Sequence, residues 1–400
     1  MLAGLNAALL LLGVDAPVAG QQLPMLHGML MMLGFLGTLI SLERAVALRQ
    51  VWGYLAPGLL GAGAILLLTP APVIVGQLLL VNGAAVLCLV YTRLWRRSRD
   101  HTVLVQLLGA VLALLAAALW VQVEMVNLVA LLAGFIVLTI VAERVELARI
   151  SLPRHAEALV LALAAALMAC AVGTLLWPRA AAVAFGLALV GLAAYLGWHD
   201  VARRTIRATG LPRFAAVAML AGYVWLALGG LVWIMGGPVA VPGWYDTAVH
   251  TIFLGFAMSM VMAHAPVILP AVLRLRLPYH PVLWVPLGLL HLGLAVRVGA
   301  LSAGAHRFWQ AGGMLTIAAL VALALGAVGL ALWAQRRAGP GPATPESPRD
   351  HGAAASERAE RTTSAAAATS AAGRGASTTF AATERAALTI QQESDPVVQP

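Results

Sequence analysis

Lysine is absent from this 400-residue chain: every one of its 25 basic residues is arginine. Charge of either sign is scarce. Charged residues make up 10% of the sequence, hydrophobic residues 61%, and the mean hydropathy is +0.90. A soluble protein of this length has no way to hide that much apolar surface, so the bilayer must be the solvent. Cysteine is nearly absent too. Cys88 and Cys170 lie inside apolar segments, which excludes a disulfide framework and reads as packing. The chain has no phosphate-binding loop, no CxxCH haem-attachment motif and no Ser–His–Asp constellation. Nothing therefore points to an ATPase, a c-type cytochrome or a hydrolase. The net charge of +9 does not signal nucleic acid, because most arginines lie between apolar segments and report topology.

About 20 apolar residues cross the hydrocarbon of a bilayer. By that rule twelve segments are expected, near 2–18, 24–42, 53–69, 72–92, 102–122, 124–142, 156–177, 180–198, 213–235, 247–269, 281–301 and 307–334. Asp15 and Pro17 interrupt the first. Arginines cluster after every second segment: Arg44 and Arg49, Arg93 to Arg99, Arg149 and Arg154, Arg203 to Arg213, Arg274 and Arg276, Arg336 and Arg337. The intervening loops hold little beyond Arg179, Arg297 and Arg307. That asymmetry predicts a multi-pass protein of the bacterial inner membrane with both termini in the cytoplasm. Residues 1–337 form the membrane domain in this reading. Residues 338–400, rich in Ala, Ser, Thr, Pro and Gly, cannot offset their ordering entropy by apolar burial and read as a disordered cytoplasmic tail.

An internal repeat organises the apolar region. GFLGTLISLER begins at Gly34 and returns as GFIVLTIVAER at Gly134; GFAMSMVMAH, from Gly255, is a third copy. Glu43–Arg44 thereby aligns with Glu143–Arg144, and His264 falls where the glutamate would be. The copies recur at every fourth segment. The expected fold is all-α, with three pseudo-repeated four-helix units about a pseudo-threefold axis.

Polar groups at membrane depth are costly, and each needs a reason. His27 and His250 sit one turn or so into the second and tenth segments, each upstream of a Gly-Phe pair. Two imidazoles at one depth on parallel helices are how a protein clamps a haem iron, or copper with methionine help. The alternative is a hydrogen bond from each to a neighbouring helix. Gly28 and Gly34 leave space for something bulky to approach the backbone. Arg297 is a candidate for a haem propionate, or else snorkels to lipid headgroups. His264 and His291 are secondary metal candidates. Glu43, Arg44, Glu143, Arg144 and His264 form a predicted polar network at the cytoplasmic end, which either pins the helices together or admits protons or ions. The surrounding methionines, Met25 to Met32 and Met258 to Met262, read as filler between helices. His101, His155 and His199 read as solvated or snorkelling.

At His27 and His250 the chain resembles a known family. HGMLMMLGFLGTLI is similar to the early histidine helix of NnrS family proteins, haem- and copper-containing twelve-helix bacterial membrane proteins linked to nitric-oxide metabolism. His27-Gly28-Met29 and Gly34-Phe35 follow the family's order of His-Glu-Met and Gly-Phe, with glycine in place of the acid. HTIFLGFAMSMVMAHAP, headed by His250, resembles the family's later histidine helix, and AVRVGA around Arg297 resembles a short stretch that follows it. The resemblance implies haem b, a weaker implication of copper, a diatomic gas or redox partner, and a role in nitric-oxide handling or the response to nitrosative stress. The threefold arrangement also looks like the catalytic subunit of haem–copper oxidases. Asn127 stands in the sixth segment and the seventh has no His-His pair, which speaks against an oxygen-reducing centre. The rival class is a secondary transporter whose buried histidines and glutamates relay protons or bind a solute.

Overall fold

The computed structural model describes residues 1–148, 156–237, 242–273 and 278–337. All elements among them are helical. Met1–Ala331 forms one compact unit; of the second, which begins at Leu332, the described residues are the last turns of the final helix. We number the apolar helices in chain order. They are α1 (Leu2–Leu11), α2 (Leu23–Leu48), α3 (Val51–Leu66), α4 (Val73–Ser98), α5 (His101–Leu119) and α6 (Met125–Ala148). There follow α7 (Ala156–Gly173), α8 (Pro178–His199), α9 (Gly210–Met235), α10 (Pro242–His250 continuing to Ser259–Leu273), α11 (Pro281–Ser302) and α12 (His306–Arg337).

Each expected segment thus has a helix, but not each has the expected length. Among the described residues nine helices are long and apolar enough to cross a membrane, while α1, α3 and α7 are shorter. The tail lies outside the described residues, as do Arg149, Arg154 and His155 in 149–155 and Arg274 and Arg276 in 274–277. Leucine- and alanine-rich runs account for the helices, since these side chains lose little freedom there. Ends are set locally. Asp100 caps α5 by accepting from the Thr102 amide at 2.9 Å. Arg49 and Arg99 end α2 and α4 in the left-handed region, with φ of 57° and 55°, a position usually given to glycine.

The repeat helices lie towards the inside. In its most apolar window α6 is 78% buried, against 28% for α12, so α6 is central and α12 peripheral. Outward faces carry exposed Ile65, Leu187 and Val224, an apolar exterior suited to lipid tails. Several helix pairs approach through glycine. A methyl group on Gly63 would meet the Gly76 carbonyl at 2.9 Å, and one on Gly312 would meet the Gly293 carbonyl at 2.6 Å. The backbones of α3 and α4, and of α11 and α12, come together because nothing larger fits.

The least expected feature is a pair of π-helical segments. Leu30–Gly37 in α2 and Thr251–Met258 in α10 are both π-helical. Each runs from four residues before the Gly of its Gly-Phe pair to three after it, so the two share one register. In both, the hydroxyl four residues after that glycine donates to its carbonyl: Thr38 to Gly34 at 2.9 Å, Ser259 to Gly255 at 2.6 Å. In α6 the corresponding stretch is ordinary α-helix, and Thr139 donates one residue later, to the Phe135 carbonyl. The two copies that carry histidines are therefore the two that share the irregular backbone. π turns inside α-helices are rare and concentrate at functional sites.

Candidate functional site

Two polar clusters occupy opposite ends of the repeat helices. At the N-terminal ends, His27 donates from Nδ1 to the Gly4 carbonyl of α1 at 2.8 Å. His250 donates from Nδ1 to the Asp246 carbonyl one turn earlier, also at 2.8 Å, with the Asp246 carboxylate at 3.3 Å. Both imidazoles thus have their Nδ1 proton held and Nε2 left as the lone-pair nitrogen, the arrangement metal-ligating histidines adopt. His27 lies within electrostatic range of both His250 and Arg297.

Arg297 does not present its fork to an open site. Its Nε and Nη2 grip both oxygens of Asp246, at 2.9 and 2.6 Å, and Trp309 donates to the same carboxylate at 3.1 Å while its ring lies 5.1 Å from the guanidinium. The planar fork needed for a propionate is taken by an internal carboxylate. Neither the repeat nor the histidine motifs single out Asp246. A readable signal was present, since an acid four residues before an intramembrane histidine lies on the same helix face. A pocket of about 400 Å³ opens beside Asp246, Tyr245, His306 and Trp309; neither His27 nor His250 lines it.

The glycines also differ from expectation. A methyl on Gly28 would meet Met125 at 2.5 Å, one on Gly34 would meet Ala64 at 2.7 Å, and one on Gly255 would meet Trp225 at 2.5 Å. They admit side chains of neighbouring helices rather than leaving an empty cradle.

At the C-terminal ends, Arg44 Nη2 donates to Glu43 at 2.6 Å and to Glu143 at 3.0 Å. Arg144 grips Asp200 through Nε at 2.9 Å and Nη2 at 3.2 Å, and its Nη1 donates to His264 Nε2 at 2.8 Å. The arginine of each of the first two copies therefore reaches the aligned residue of the next copy. Tyr223 donates to Asp200, which also accepts from the Ala202 amide at 2.8 Å. Burial alone pushes the Asp200 carboxyl upward; Arg144, Tyr223 and that amide outweigh it and hold it below the ordinary carboxylate range. Asp200 and Tyr223 come from the α8–α9 region and carry no repeat signal.

Of the two secondary metal candidates, His264 has both ring nitrogens engaged, whereas His291 has a buried Nε2 without a partner. His264 donates from Nδ1 to the Met260 carbonyl at 2.6 Å and accepts from Arg144 at Nε2, so it has no free lone pair. His291 accepts from Trp225 at Nδ1, at 2.9 Å, which places its proton on Nε2. His101 lies 3.5 Å from Glu157, and His199 donates to the Tyr195 carbonyl at 3.0 Å while staying exposed. Among the described residues no three His, Cys, Asp or Glu side chains gather as a metal centre. Both cysteines are free.

The sequence model of a family described as a domain of unknown function, DUF8744, matches residues 1–332. The chain belongs to that family. The match takes in α1 to α11 and nearly all of α12, and so contains both polar clusters. No curated protein and no solved structure matches the chain.

Proposed function

We propose that this is a twelve-crossing protein of the bacterial inner membrane that binds a b-type haem through His27 and His250 and, by its resemblance to NnrS proteins, handles nitric oxide or serves the response to nitrosative stress. The observation that carries the reading is that each imidazole has Nδ1 held by a backbone carbonyl and Nε2 free, at the head of a π segment of shared register. The donor set fits a two-histidine haem. The glycines, which admit neighbouring side chains, do not supply its space.

In this reading Asp246 and Arg297 are positioning residues. Arg297 fixes the carboxylate, and the carboxylate with its own backbone carbonyl fixes the tautomer and direction of His250. A haem held by His27 and His250 would supply one-electron chemistry and an affinity for diatomic gases. The backbone carbonyls of Gly4 and Asp246 hold the Nδ1 protons and so keep Nε2 of each imidazole turned to the iron's side.

The test is the visible spectrum of the purified full chain after expression with ample haem. A low-spin b-type spectrum is expected. His27→Ala and His250→Ala should each lower haem content or convert it to high spin, and His101→Ala should do neither. A colourless protein leaves the secondary transporter as the better reading; low-spin haem retained in both variants sinks the ligand assignment and turns it to His264 or His291.

A further inference from the structure

At the arginine-bearing ends of the repeat helices, the buried Arg44 is shared between two carboxylates, Glu43 and Glu143. Arg144 is committed to Asp200 and His264, and it and Glu146 carry further interactions of their own. Arg44 Nη2 alone serves both Glu43 and Glu143. The third copy has Ala265 where the first two have arginine, so the repeat offers no third guanidinium to complete the set.

Around this shared nitrogen three buried polar atoms have no partner: Arg44 Nε, Tyr91 Oη and Gln106 Nε2. Tyr91 and Gln106 are fully buried. Gln106 faces the guanidinium, accepting from Arg44 Nη1 at 3.5 Å, and Tyr91 lies within electrostatic range of Arg44, Glu143, Glu43 and Cys88. Glu143 in turn is within range of Glu43, Arg44, Glu146 and Arg144. Leaving three buried polar groups open in one place is costly, and such groups are ordinarily satisfied by internal water. Two of the three are N–H groups, which donate only. They would repel a metal cation and call for an acceptor, which water supplies.

We propose that Glu43, Arg44, Tyr91, Gln106 and Glu143 form a hydrated proton-holding site, in which water bridges the open N–H groups and the two glutamates together carry one exchangeable proton. Two carboxylates on one guanidinium cannot both stay ionised without leaving a charge uncompensated in a poorly solvated place. A proton taken from water restores balance with no electron moved. The proton belongs to the pair rather than to either residue. The site is independent of the proposed haem ligands, which lie at the opposite ends of the same helices.

Infrared spectra of the reconstituted full chain in H₂O and D₂O test this. At neutral pH the unmodified protein should show the carbonyl stretch of a protonated carboxylic acid, shifted in D₂O. Glu43→Gln and Glu143→Gln should each abolish it, because one remaining carboxylate balances Arg44. Arg44→Gln should strengthen it. Tyr91→Phe keeps the charge count and should retain the band while slowing its exchange with D₂O. Should a glutamine variant fail to fold, Glu143→Asp should shift the band in frequency. No protonated-acid band at neutral pH, or one unmoved by all of the glutamate variants, overturns the proposal.

Discussion

At the residue scale, the Asp246–Arg297 pair is the most exposed to single substitutions. Arg297 is 7% exposed and holds its carboxylate through two hydrogen bonds. Removing one member of such a pair strands a buried charge, at a cost of about 3–5 kcal/mol. Asp246→Asn should therefore lower the thermal stability of the detergent-solubilised protein sharply, and Asp246→Asn combined with Arg297→Gln should recover part of the loss. A stability loss in the double variant as large as the sum of the singles would show that the pair is not a coupled unit. Asp200 makes a pH prediction. Its carboxyl is held below the ordinary range, so its contribution is present above the unfolded value, roughly pH 4, and is lost as pH falls through the folded value. Asp200→Asn should remove that acid-side decline from the stability profile, measured by thermal unfolding against pH.

At the scale of elements, the π segments and the glycine contacts lead to opposite kinds of test. Deleting Leu254 from the π segment of α10 should let the helix relax to α geometry and turn the residues before it by about 100° relative to those after it. His250 would then leave its position while membrane insertion is kept, and the low-spin spectrum should disappear; its survival would mean the π segment does not orient the histidine. Gly312→Ala would drive a methyl against the Arg297 amide and the Gly293 carbonyl, both 2.6 Å away. Overpacking of this kind costs about 1–3 kcal/mol. Gly288→Ala, in α11 with nothing within 4 Å, should be neutral or slightly stabilising. Comparing the two variants by thermal unfolding separates a packing effect from helix propensity.

At the scale of the whole molecule, the arginine distribution makes topology the first test. Reporter fusions after Arg99 and after Arg337 should both read cytoplasmic, and a periplasmic signal at either site would reject twelve crossings with both termini inside. Truncation at Gly339 should leave insertion and thermal stability unchanged, because the low-complexity tail has too little apolar surface to pack.

Much of this protein was legible in its residues. Apolar run length and arginine spacing determined a helical membrane protein, because the bilayer forces every backbone group into a helix or a closed barrel. The repeat located Glu43, Arg44, Glu143, Arg144 and His264 at aligned positions, and these side chains meet in the structure. Tertiary structure alone decided the partners. Asp200 joins Arg144 from 56 residues away, and Asp246 takes Arg297 from 51; such pairings depend on how helices lie beside one another, which local pattern does not encode. It also decided the facing of the histidines. A count of 3.6 residues per turn places His250 and His264 on nearly one face, but a π segment intervenes, and its turns take more residues. Periodicity reads a face only while the helix remains α, and here the backbone departs from α between the two candidate sites.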